Sequence, residues 1–258
     1  APVAGGAPAA AGFNGPFYLA AALAVMLIYL LSLGYIRWRV PDFQAGTFSQ
    51  SCYRFNTYIG MAIIINALGE EGVRQFGLLI GFLIPIINVL AVSTLTWYAG
   101  GPLSGKTRLR QAGRAMVSNP LIIACVAGLL YSRTVGGFPT FFNNTLGLMA
   151  AITLPLALLS IGGALTFAGL RDYWGPSLAG TFFKLVLLPS TGWGLFRWMG
   201  IDGLDLQIGM IFLALPTSPA IYVLSSQLKS DTRLASAVIV LSTALSFVSL
   251  TIVLTVFG

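Results

Sequence analysis

The chain has 258 residues, 57% of them hydrophobic and only 8% charged, against roughly 45–50% apolar and about 25% charged in soluble domains. That balance excludes a soluble globular domain and leaves an integral membrane protein. The absence of histidine excludes HExxH zinc chemistry and a Ser-His-Asp triad. The net charge of +7 lies in short loops between apolar runs rather than on one soluble face, so it reads as membrane topology and not as a nucleic-acid surface.

In chain order, residues 1–15 form an uncharged Ala/Gly/Pro tract that reads as a flexible leader, with neither the basic start nor the apolar core of a signal peptide. Crossing a hydrocarbon core about 30 Å thick takes about 20 helical residues. Eight runs meet that requirement: 16–36, 48–68, 76–98, 117–134, 145–168, 176–198, 206–228 and 235–257. They lack the ten-residue alternation of a membrane β-barrel, so the expected fold is an all-α polytopic membrane protein.

The first span ends on Arg37, Trp38 and Arg39 as interfacial anchors, with Gly34 softening the helix. The second holds the densest polar cluster of any apolar run, Asn56 and Thr57 followed by Gly60, and closes at Glu70 and Glu71. The third carries Pro85 and Asn88 and leads to a basic loop, 100–116. Within that loop GGPLSGKT fits the GxxxxGK[ST] spacing of a phosphate-binding loop. That mechanism needs a preceding strand in a soluble βαβ unit, and a membrane span stands there instead.

The fourth span starts on Asn119 as cap and Pro120 at its first helical position. In the fifth, Pro155 is followed by Ser160, Gly162 and Gly163, small residues that let another helix approach closely. The sixth carries Lys184 and Pro189, and the eighth has a Ser/Thr-rich face suited to helix packing. Cys52 and Cys125 lie in or at spans, with neither the number nor the spacing of a metal site or a disulfide framework.

The seventh span is interrupted. In LALPTSPAIYVLSSQ (213–227), Pro216 and Pro219 remove two backbone donors and free carbonyls that lipid cannot satisfy. Irregular backbone at membrane depth survives only where protein or a water-filled cavity surrounds it, and in transporters that place is usually the substrate site.

Sorting the 14 basic residues by loop puts nine on one side: Arg37, Arg39, Lys106, Arg108, Arg110, Arg114, Arg171, Lys229 and Arg233. Arg74, Arg133 and Arg197 fall on the other, with Arg54 and Lys184 inside spans. By the positive-inside rule the nine-charge side is expected to be cytoplasmic, with both ends of the chain outside; the basic loops and the lack of a long hydrophilic domain fit a bacterial cell inner (plasma) membrane.

A shift of 160 residues lays the sixth span on the first: Pro16 on Pro176, Gly34 on Gly194, Arg37-Trp38 on Arg197-Trp198. The same shift sets Asn56 opposite Pro216 and Gly60 opposite Ala220. Five spans separate equivalent positions, and five is odd, so the copies face opposite ways. Paired interruptions in inverted halves point to a midplane binding site. The copies divide the chain into 16–99, the last three spans of the first repeat, and 117–258, a complete second repeat; the two missing spans are expected before residue 1.

FNTYIG with GEEG in the second span, NPLIIA in the fourth, LPLALLSIGGAL in the fifth, and ALPTSPAIYVLSSQ followed by LSTALS resemble the auxin efflux carrier family, and in particular its bacterial malonate or malate permease-like members. The likeness covers most of 17–257. It implies ten spans in inverted five-helix repeats, two broken helices crossing at the substrate site, and a transport domain moving against a scaffold, often within a homodimer. One crossing helix would hold Asn56, Thr57, Tyr58, Ile59 and Gly60, and the other Pro216, Thr217, Ser218 and Pro219, with Tyr222 among the substrate-binding residues. Many relatives carry a proline after NT-x-x-G where this chain has Met61 and Ala62, so a gentler break is expected in the first helix.

Half-helix N-termini carry partial positive charge and free N–H groups, so two of them meeting at the midplane suit a carboxylate. The substrate expected is a small organic anion: malonate, malate or an auxin-like acid. Asn56 would hydrogen-bond it and Thr217 and Ser218 would offer hydroxyls, with Asn88 among the lining residues. Lys184, deep in its span, would neutralise the anion or stand in for a coupling cation. Arg54, near the cytoplasmic end, is expected to snorkel. No cofactor is called for; the coupling ion would be H+ or Na+, and the partners are the carboxylate and the bilayer, not nucleic acid. The rival readings are a sodium-coupled symporter of a related inverted-repeat fold, a non-transporting solute sensor, and a hydrolase pairing Ser218 with Lys184, which no motif supports.

Overall fold

Asn14 stands just before Pro16, and its side-chain oxygen accepts from the Phe17 amide at 3.4 Å. The first helix therefore has a capped start, with proline where no N–H is needed. In the computed structural model this helix, α1, runs Gly15–Arg39 and ends on Arg37 and Arg39, whose charges suit a helix C-terminus. The structure describes residues 14–98, 139–164 and 171–258, with a few isolated positions between 110 and 134. The leader up to residue 13, most of the basic loop with its GGPLSGKT string, and most of the 117–134 span with Asn119, Pro120 and Cys125 lie outside the described residues. So do the side chains of Pro155, Ser160, Gly162 and Gly163.

All regular structure among the described residues is helical. After α1 come α2 (Asp42–Ser51), α3 (Thr57–Tyr98), α4 (Thr140–Ala164), α5 (Trp174–Phe182), α6 (Leu188–Trp198), α7 (Gly203–Ala214), α8 (Ala220–Gln227) and α9 (Thr232–Phe257). By length and composition α1, α3 and α9 are each able to cross a membrane. The spans expected at 48–68 and 206–228 are each a pair of half-helices, as two broken crossing helices require: α2 and the start of α3 flank a non-helical stretch at 52–56, and α7 and α8 flank another at 215–219.

At 42 residues α3 would be about 63 Å long if straight, twice the membrane core. It is not straight. Gly69 adopts φ 65°, ψ −158°, a conformation that side chains oppose, and the chain folds back there. As a result Gly60 and Phe76 are neighbours, with Phe76 Cζ 2.7 Å from where a Cβ on Gly60 would stand. The reversal is capped by Glu71 and Arg74, paired at 2.8 Å and half exposed.

Helices α5 and α6 form one continuous rod through a π-turn, Phe183–Leu187. Pro189 follows immediately, and its ring would press on the carbonyl one turn back in a regular α-helix. The wider π-turn gives that carbonyl room and carries Lys184 into the core.

The repeat is present, with one correction to its register. From Gly15 to Trp174, and from Arg39 to Trp198, the offset is 159, close to the expected 160. The non-helical stretches, 52–56 and 215–219, are offset by 163 instead. The connector 199–202 has two more residues than 40–41, and α7 with 12 residues is two longer than α2 with 10. Asn56 therefore corresponds to Pro219 and not to Pro216, and Gly60 to Val223 and not to Ala220.

The broken helices cross antiparallel. Half-helix α2 lies along α8, where Thr47 Oγ1 and Ser225 Oγ are 2.8 Å apart and Gln50 Nε2 donates to Ser225 Oγ at 2.9 Å. The start of α3 lies along α7, with the Phe55 and Phe212 rings 4.4 Å apart edge to face. The first half of each broken helix thus neighbours the second half of the other, as inverted copies require.

Candidate functional site: the crossing of the two broken helices

Two helix ends and two helix starts meet at the crossing, and each sheds backbone groups that need partners. Two of the partners come from the opposite break and the rest from neighbouring helices or local caps. The Asn56 amide donates to the Pro216 carbonyl at 2.9 Å. Thr217 Oγ1 donates to the Ser51 carbonyl, at the end of α2, at 3.0 Å. The Thr217 amide donates to Ser242 Oγ of α9 at 3.2 Å.

The end of α7 is held by two further side chains. Lys184 Nζ donates to the Leu213 carbonyl at 3.0 Å, and Ser249 Oγ to that of Ala214 at 3.2 Å. Pro216 and the turn after it deny those carbonyls helical donors, so a cation at this helix C-terminus is both hydrogen-bond partner and dipole complement. Lys184 is fully buried, which rules out snorkelling.

The two helix starts are capped locally. Asn56 Oδ1 accepts from the amides of Tyr58 (3.1 Å) and Ile59 (3.3 Å), making Asn56 the N-cap of α3. Ser218 Oγ accepts from the Ala220 amide at 3.3 Å at the start of α8. Because Asn56 Oδ1 takes two N–H groups, the orientation of the amide is fixed, and its Nδ2 is left buried without a partner.

Gly60 is a matter of space. A Cβ there would lie 2.6 Å from Leu215 Cδ1 as well as against Phe76, so only glycine lets the two breaks pack this closely.

Of the residues expected at the site, Asn56, Thr57, Gly60, Pro216, Thr217, Ser218 and Pro219 come together at the crossing, and Lys184 joins them through Leu213. Tyr58 and Tyr222, 38% and 47% exposed, lie in the first turn of their half-helices on the flank of the crossing. Asn88 arrives indirectly, through Arg54.

Arg54 overturns its expectation. It does not snorkel but lies in the first break, 6% exposed, with Nη1 donating to Gln50 Oε1 at 3.3 Å and Nη2 to Asn88 Oδ1 at 3.0 Å. The gentler break expected from the absent proline is also overturned: 52–56 is as long an interruption as 215–219. Sequence reasoning further missed Ser242 and Ser249. Their signal was the Ser/Thr-rich face of the last span, which serves the freed backbone of the second break and not only helix packing.

Two broken helices that cross over a buried polar centre are an arrangement found in membrane transporters. The profile of the Membrane transport protein family matches residues 106–254, more than half of the chain, and the chain belongs to this family, that of the auxin efflux carriers. The chain is similar to an uncharacterized transporter of Methanocaldococcus jannaschii, 22% identical over 194 residues that make up 73% of this chain and 60% of the relative. It is also similar to an uncharacterized transporter of Methanothermobacter thermautotrophicus, 28% identical over 149 residues, 57% of this chain and 48% of the relative. The chain thus spans about half to three-fifths of the length of these relatives. The family and both relatives are named for transport and not for an enzymatic reaction.

Proposed function

We propose that this chain carries a small organic anion across the cell inner membrane by alternating access, with the anion bound where the broken helices cross. The observation that carries this reading is Asn56. Its oxygen caps α3 while its buried Nδ2 donates to nothing, at a point where two half-helix N-termini converge. A donor left bare in a water-poor centre costs free energy unless a ligand takes it up. The positive ends of two helix dipoles select a negative one.

On this reading the substrate is a mono- or dicarboxylate such as malonate, malate or an auxin-like acid. The hydroxyls of Thr57 and Ser218 make the remaining contacts, and Thr217, Gly60, Pro216 and Pro219 hold the breaks in register. Lys184 adds positive potential from the end of α7. The nine-charge loops face the cytoplasm, and H+ or Na+ supplies any coupling.

The test is thermal-shift stabilisation of the purified chain by malonate, malate, other small carboxylates and indole-3-acetate. Saturable stabilisation by one class of acid, lost in Asn56→Ala, is the expected result. No response to any carboxylate would sink the reading, and sodium-dependent uptake would identify the coupling ion.

A further inference from the structure

We infer that Arg54 and Asn88 form the charge-bearing half of the anion site, with one carboxylate of the substrate bridging the Arg54 guanidinium and Asn88 Nδ2. The inference rests on the reading above and goes beyond it by naming the counter-charge and fixing the ligand group as ionised.

Arginine does not lose its proton in proteins, so Arg54 is a permanent cation. At 6% exposure it is removed from solvent, yet its partners are two neutral amides, Gln50 Oε1 and Asn88 Oδ1. Among the described residues no carboxylate pairs with it; the ion pairs there are Glu71–Arg74 and Asp202–Arg197, both exposed. A buried cation normally has an anion beside it.

Two of its five N–H donors are used, and the planar fork is suited to bidentate contact with a carboxylate. Asn88 is oriented by the same contact. Since its Oδ1 accepts from Arg54, the neighbouring Nδ2 is the free end, and it is buried with no partner. A guanidinium and an amide donor are thus held side by side, two residues along the chain from the bare Nδ2 of Asn56.

The position is anchored from both broken helices. Gln50, which holds Nη1, donates through Nε2 to Ser225 Oγ and to the Ile221 carbonyl of α8 at 2.9 and 3.4 Å. Asn88 belongs to α3 beyond the Gly69 reversal. The cation therefore sits where the first break, the second broken helix and the returning arm of α3 meet.

The test compares malonate with malonamide, its neutral counterpart of like shape, by thermal-shift titration of the full chain in detergent. Malate and indole-3-acetate, each against its amide, extend the panel. Wild type is expected to be stabilised saturably by an acid and not by its amide. Arg54→Gln should weaken that apparent affinity about 10- to 100-fold, and Arg54→Lys should recover part of it.

Asn88→Asp keeps the test decisive if Arg54→Gln does not fold. It supplies an internal carboxylate to the guanidinium, so the fold should survive with an unchanged or higher Tm while acid binding is lost. Acid binding within twofold of wild type in Arg54→Gln or in Asn88→Asp overturns the inference. If Asn56→Ala still abolishes binding in that case, the crossing site stands without Arg54. Stabilisation by the neutral amide equal to that by its acid overturns the inference too. If wild type responds to no acid, this inference and the organic-anion reading fall together.

Discussion

Thr217 and Ser51 are 166 positions apart in the chain, yet Thr217 Oγ1 donates to the Ser51 carbonyl at 3.0 Å. The hydroxyl of the second break completes the end of the first half-helix of the other copy. With the Asn56 amide on the Pro216 carbonyl at 2.9 Å, it makes each interruption the hydrogen-bonding complement of the other. Neither break could persist alone in lipid, where water is not available to replace these partners.

Thr217→Val keeps the shape of the side chain and removes the donor, leaving the Ser51 carbonyl bare. The expected cost is about 1–3 kcal/mol, the range for an unsatisfied buried group. Thermal unfolding should show a lower Tm for Thr217→Val and recovery toward wild type in Thr217→Ser. An unchanged Tm in the valine variant would mean the contact holds nothing together.

The two ends of the Asn56 amide are expected to have separable roles. Asn56→Asp keeps an oxygen to cap α3 but loses the Nδ2 donor and adds a negative charge, so it should fold and fail to bind an acid. Asn56→Ala loses the cap as well, at about 0.5–2 kcal/mol. Comparing Tm with acid binding in the two variants checks the division; acid binding by Asn56→Asp equal to wild type would contradict it.

Lys184 is expected to act on both stability and charge. Lys184→Met leaves the Leu213 carbonyl without its donor and should lower Tm. Lys184→Gln restores a neutral donor and should return most of that loss, while binding an acid several-fold more weakly for want of the positive charge. A glutamine variant with wild-type affinity would confine Lys184 to holding the end of α7.

Close packing of the breaks predicts that Gly60→Ala is destabilising, because the added methyl meets Leu215 and Phe76. Overpacking of this kind costs about 1–3 kcal/mol. The double variant Gly60→Ala with Leu215→Ala should recover part of the loss, since Leu215 Cδ1 is the nearest obstacle at 2.6 Å. Additive losses in the double variant would show that the two positions do not touch.

The membrane character and the break at Pro216 and Pro219 were legible in the sequence, because apolar run length and proline act locally and need no partner to take effect. The repeat was legible over α1 and the α5–α6 rod, where the lengths match, and slipped by a few residues where a connector and a half-helix are longer in the second copy. The tertiary structure alone decided the rest. The first break has no proline: it exists because the Pro216 carbonyl takes the Asn56 amide and Thr217 takes the Ser51 carbonyl. Arg54 lies near the end of an apolar run, where a charged side chain ordinarily reaches for water. It is buried instead because the reversal at Gly69 brings Asn88 beside it from 34 positions away. A sequence displays what each residue prefers on its own; a buried charge and an unwound helix are settled by the groups that meet them across the fold.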